Sequence, residues 1–200
     1  RRSHADYVGV KRYDARGEVI GETRFVGLFT SEAYTRAADE VPLIRRKIEN
    51  VKAAAPQGSR FSAKQLDAVL KNYPRDELFQ ISEGDLERIS SGVLRLLLRP
   101  RTRLFIRRDR FDRYVSALLY TPRDSYNSEL RTRAHRLLAE AYGGRTTAYY
   151  PSFGEGPLAR VHLIIGVDPG HPEPDEDALD LQMRQLFETW EDALARVADR

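Results

Sequence analysis

From residue 101 onward the chain repeats one order of elements, strand–strand–helix, and this repeat constrains the fold more than any other feature. Thr102–Arg108 and Tyr114–Thr121 are β-prone runs joined by a turn at Asp109–Arg113. Leu130, Ala134, Leu137, Leu138 and Ala141 then form a helical stripe that Gly143-Gly144 closes. Thr146–Tyr150 and Arg160–Asp168 read as two further strands. After a break at Pro169–Pro174, Leu179, Met183, Leu186, Phe187, Trp190, Leu194 and Val197 predict a long amphipathic helix. Two ββα units with antiparallel strands and both helices available to one face make a two-layer sandwich of ferredoxin-like size. The expected fold class is α+β, with a domain division at residue 100, giving units 1–99 and 100–200.

The first half reads differently. Asp6–Asp14 and Glu22–Thr30 flank the turn residues Ala15-Arg16-Gly17 and predict a β-hairpin. Three helices follow. Ile44, Ile48 and Val51 predict one over 40–55, with Asp39 as N-cap and Pro56 and Gly58 as the stop. Ser62-Ala63-Lys64-Gln65 has the form of a capping box ahead of Leu66, Val69, Leu70 and Tyr73. The third starts near Ser82, buries Leu86, Ile89, Val93 and Leu97, and ends before Pro100. Two strands are marginal in water, so this half is expected to be the end of a domain whose other strands precede Arg1.

Composition removes several function classes. The 200 residues include no Cys, which excludes disulfides, thiolate metal sites and a Cys nucleophile, and fits a reducing, cytoplasmic address. The longest apolar run, Val93–Leu98, is interrupted by Arg95 and falls far short of the roughly 20 residues of a membrane-spanning helix. Charge is near balance, 33 Lys plus Arg against 30 Asp plus Glu, but it is laid out in blocks. Arg95–Arg113 is Arg-rich and Asp168–Asp192 acidic, as expected of solvated faces or internal interfaces.

No catalytic constellation emerges. His4, His135, His162 and His171 are scattered, without metal-ligand spacing, so neither a metal site nor catalytic residues are expected. His162, between Val161 and Leu163, reads as a hydrogen-bonded or solvent-facing strand residue. Gly154-Glu155-Gly156-Pro157-Leu158-Ala159 matches a dinucleotide fingerprint literally, but a strand follows where the pyrophosphate would need a helix N-terminus. No cofactor site is expected there. Two positions keep a ligand reading. Arg103–Phe111 interleaves basic and aromatic side chains, the pattern of a single-stranded RNA platform over 103–113. The alternative is that Leu104 and Ile106 face the helices while Arg103, Phe105 and Arg107 face a partner domain or water. In Thr121–Leu130, Asp124, Ser125 or Asn127 can cap a helix, and a ligand carboxylate beside Arg123 would use the same donors. Arg123, Asp124 and Asn127 are the candidate effector-binding residues.

Three stretches resemble a known family. YVSALLYTPRDSYNSEL at Tyr114–Leu130, continuing to LLAEAYGG at Leu137–Gly144, is similar to the N-terminal regulatory region of the large bacterial NAD-dependent glutamate dehydrogenases. FVGLFTSEAYTRAADEVPLIRRKIENV at Phe25–Val51 and YPRDELFQ at Tyr73–Gln80 are similar to the segment that precedes it. The resemblance implies a parent homo-oligomer that deaminates L-glutamate to 2-oxoglutarate and ammonia with NAD, its catalytic domain far downstream. It implies that residues 1–99 end a PAS-like domain with helices and that 100–200 form one ACT-like domain. It also implies a role in assembly or allosteric control, partners within the same long chain, and an amino-acid effector. The chain departs from ordinary ACT domains, which run βαββαβ and carry a Gly-containing loop after the first strand.

Overall fold

The computed structural model describes residues 5–55, 60–154, 156–168, 170 and 173–188. The hairpin forms as expected, β1 (Asp6–Tyr13) against β2 (Val19–Gly27), antiparallel with Tyr7 opposite Val26. Its turn is set by Gly17 at φ +82°, and by the Asp14 carboxylate, which accepts from the backbone of Arg16 and Glu18. Phe25, Val26 and Leu28 stay largely exposed.

Five helices follow: α1 (Ser31–Thr35), α2 (Pro42–Ala54), α3 (Arg60–Lys71), α4 (Arg75–Gln80) and α5 (Glu83–Leu98). Periodicity does not predict α1 and α4, since five and six residues are too few to display a helical stripe. Two expected caps are corrected. Asp39 does not cap α2: it lies in a 3-10 turn at Ala38–Glu40 and pairs with Lys71 at 2.9 Å, while α2 starts on Pro42, whose missing N–H costs nothing at a first position. Ser62 does not cap α3 either, because the helix already includes Arg60. Ser82 does cap α5, accepting from the Asp85 N–H at 3.1 Å. On α5 the buried residue near the end is Leu96 rather than Leu97.

The second half is an antiparallel four-stranded sheet of β3 (Arg103–Arg108), β4 (Tyr114–Pro122), β5 (Arg145–Phe153) and β6 (Leu158–Gly166), in the order β3-β4-β6-β5. Between the strand pairs runs α6 (Ser128–Ala141), and after them α7 (Glu176–Phe187). Asn127 caps α6 and Gly143 leaves it at φ +53°, a left-handed position that glycine occupies without strain. The stretch with Trp190, Leu194 and Val197 lies outside the described residues, as do His4 and His171.

Both faces of the sheet are covered. On one face Leu104, Ile106, Leu119 and Leu163 pack with Leu138 of α6 and Met183 of α7. On the other, Phe105, Leu118, Tyr120 and Leu158 share a core with Ile89, Val93 and Leu96 of α5 and with α2 and α3. The ββαββα unit is itself two-layered, and the helical segment adds a third layer. That explains β4, Tyr-Val-Ser-Ala-Leu-Leu-Tyr-Thr, which is buried from Tyr114 to Thr121 and so lacks polar alternation. Gly92 lets α5 approach closely, for a Cβ there would lie within 2.5 Å of the Phe105 ring. The outer edge of β3 is closed by side chains. Asp180 of α7 accepts from the Leu104 N–H at 2.8 Å, and Arg88 of α5 donates to the Ile106 carbonyl at 3.1 Å.

Candidate functional site

The loop from β4 to α6 brings the three sequence-predicted residues into one turn. Arg123–Ser125 forms a 3-10 turn, and the Arg123 N–H donates to the Pro157 carbonyl at 3.0 Å. The Asn127 side-chain oxygen accepts from the Leu130 N–H at 2.8 Å, so its acceptor already serves the helix. Arg123 and Asp124 are exposed. The Arg123 guanidinium lies 6.0 Å from the centroid of Phe153, whose ring meets Tyr126 edge-on at 5.1 Å. The loop thus offers one cation and one carboxylate to solvent, on a base held by an aromatic pair.

The RNA platform is not available on β3. Phe105 and Arg107 are buried, and Arg103 pairs with Asp180 at 3.0 Å. Arg107 instead anchors a polar seam that the sequence did not reveal. Its Nε and Nη2 each donate to a Glu77 carboxylate oxygen at 2.8 Å, a bidentate pair joining β3 to α4. Glu77 is 2% and Arg107 8% exposed. Burial opposes the charge on Arg107, and the Glu77 bonds more than offset that, holding the guanidinium protonated. Tyr114 of β4 joins the seam through the Gln80 side chain, and Ser116 shares a 2.8 Å hydrogen bond with His162 Nε2. That same nitrogen lies 3.8 Å from Glu77 Oε1. At the C-terminal end of α4, Lys47 of α2 donates to the carbonyls of Leu78, Phe79 and Ile81 at 2.8–3.1 Å, filling acceptors that the short helix leaves open. Glu77 escaped sequence reading because it and Arg107 stand 30 residues apart, and neither YPRDELFQ nor the basic and aromatic run of β3 signals that they pair.

His162 makes the seam sensitive to pH. Burial pushes its imidazole below the ordinary value near 6.5; Glu77 opposes this and Arg160 adds to it. Above pH 6.5 the folded and unfolded states are both neutral at this residue. As pH falls below 6.5, the unfolded chain takes a proton that the folded chain refuses, so stability falls. Between pH 7 and 5, denaturant melts of the wild type should lose up to about 1.4 kcal/mol per pH unit more than those of His162→Gln. Equal slopes would show that His162 is not the group responsible.

Among the described residues no cluster of three or more His, Asp or Glu side chains could hold a metal ion. Comparison with known proteins bears directly on both halves. Residues 41–99 match the family described as "Glutamate dehydrogenase, helical motif 1", and residues 103–191 match "Glutamate dehydrogenase, ACT2 domain". This chain belongs to the NAD-specific glutamate dehydrogenase family. It is 38% identical over 198 residues to the NAD-specific glutamate dehydrogenase of Halomonas elongata, covering 97% of this chain and 12% of that protein. With the Pseudomonas aeruginosa protein of the same name it shares 34% over 194 residues, 96% of this chain and 12% of the relative. With that of Mycobacterium tuberculosis it shares 32% over 158 residues, 79% and 10% respectively. The chain thus spans about one eighth of the length of the first two relatives. The two matched glutamate dehydrogenase modules are joined by the seam between α4 and β3 and by the core that α5 shares with the sheet.

Proposed function

We propose that this chain is a non-catalytic regulatory and assembly segment of a longer NAD-dependent glutamate dehydrogenase. The whole protein, on this reading, is a cytoplasmic homo-oligomer that converts L-glutamate to 2-oxoglutarate and ammonia, with NAD bound elsewhere. Support comes from the relatives' shared name, from the matched helical and ACT modules, and above all from the way those modules share one core and one buried ion pair. A change in the ACT sheet would be felt by the helices. No helix among the described residues is long and apolar enough to cross a membrane.

In this reading the units are 1–99 and 100–200, and β1–β2 ends a PAS-like domain whose remaining strands would cover Phe25, Val26 and Leu28. An amino-acid effector engages Arg123, Asp124 and the N-terminus of α6. It shifts activity only through a difference in its affinity for two arrangements of the packed domains. Thermal unfolding with a panel of amino acids, glutamate included, tests this. A ligand at about 100 times its Kd adds about 2.7 kcal/mol, which for a chain this size raises Tm by roughly 5–10 °C. Arg123→Ala with Asp124→Ala should abolish that rise and leave the unliganded Tm within about 2 °C, since both residues are exposed. A rise that survives the double substitution would place the effector elsewhere, and no rise with any amino acid would remove the effector from the proposal.

A further inference from the structure

Helices α6 and α7 leave a trough along their solvent side. Two grooves, of about 430 and 400 Å³, share Leu137, Glu140 and Gln182 and so run together. One end of the trough carries Arg133 and Arg136, facing Gln185 and Leu186. The other carries Glu140 and Asp175, with Asp177 in the same first turn of α7. Arg133, Arg136, Glu140 and Asp177 are all exposed, and no ion pair within the chain engages any of them among the described residues. Among the described residues the trough is a cationic end and an anionic end separated by Leu137, with no side-chain counter-charge on Arg133, Arg136, Glu140 or Asp177, while Asp175 caps α7 by accepting from the Asp177 and Ala178 N–H groups.

Such a surface is complementary to itself under a twofold rotation. An axis lying in the contact plane, across the middle of the trough, sets Arg133 and Arg136 of one copy against Glu140, Asp175 and Asp177 of the other, and the reverse pairing follows by symmetry. We propose that the α6–α7 face is an isologous contact with a second copy of this chain. This deepens the assembly role stated above and rests on that reading. With 14 and 12 residues the helices are about 21 and 18 Å long, so the face is small, and charge pairing rather than apolar area dominates the contact.

A charge swap tests the proposal. Sedimentation velocity at low ionic strength, where the Debye length exceeds about 10 Å, should show concentration-dependent dimers of the wild type that dissociate in high salt. The pair Arg133→Glu with Arg136→Glu should weaken dimerisation about a hundredfold or more, and so should Glu140→Arg with Asp177→Arg. An equimolar mixture of the two reversed chains should recover a heterodimer, because both contacts then pair opposite charges again. Recovery also shows that each variant is folded. Dimers that ignore both reversals would mean association through another surface, such as the exposed hairpin, and would overturn the proposal. So would a wild type that stays monomeric, or a mixture that stays monomeric while each variant unfolds cooperatively. Should the swap fail while the amino-acid thermal shift persists, the contact face is wrong and the regulatory reading stands.

Discussion

Arg107→Ala should destabilise the protein by about 3–5 kcal/mol, the usual cost of removing one partner from a buried ion pair. The substitution leaves the Glu77 carboxylate 2% exposed with both its guanidinium bonds gone. In a chain of this size that lowers Tm by roughly 6–20 °C. The stranded charge, rather than the lost attraction, is what destabilises. Glu77→Leu combined with Arg107→Met should therefore recover most of the loss, since apolar groups of similar volume often replace a buried pair at little cost. Urea melts of Glu77→Leu, Arg107→Met and the double variant measure the coupling. Additive losses would show that Glu77 and Arg107 contribute separately and that no pair holds α4 to the sheet.

Phe105→Ala should cost about 3–5 kcal/mol, the range for emptying a buried aromatic site. Phe105 is 7% exposed, meets Tyr120 edge-on at 6.0 Å, and lies under Gly92 of α5. Removing the ring opens a cavity where the helical segment meets the sheet, while the opposite core of Leu104, Ile106 and Leu163 keeps its packing. Amide exchange should rise most in α5 and β3 and least in α6. Uniform acceleration across both halves would mean that the layers do not open separately and that the cavity acts only on global stability.

Much of the architecture is legible in the amino-acid sequence. The ββαββα order, both helices on one face and the α6 cap at Asn127 follow from periodicity and capping chemistry, which act over a few residues. The alternation along β3 even separates Leu104 and Ile106 from Phe105 and Arg107, although it leaves open whether the second set meets water or protein. Where local rules fail, tertiary packing overrides them. Asp39 makes a sound N-cap on paper, but Lys71 of a neighbouring helix takes its carboxylate and Pro42 starts the helix instead. The short α4 shows no stripe, yet it holds the buried acid that Arg107 needs.

For the candidate effector loop, sequence identifies the residues and structure adds their surroundings. Asn127 has its acceptor committed to the helix, whereas Arg123 and Asp124 stand exposed where a ligand can meet them. The seam cannot be found in the same way. Glu77, Arg107, Ser116 and His162 are ordinary one by one, and become a network only where the fold excludes water and leaves each as the other's partner.

Local sequence thus determined which segments are strands and helices and which face of each is apolar, because side-chain period and backbone preference are properties of short stretches. Only the tertiary structure decided that the helical segment closes the second face of the sheet and that a buried ion pair joins them. The Glu77–Arg107 pair links residues 30 apart, and its strength comes from the desolvation that folding itself creates.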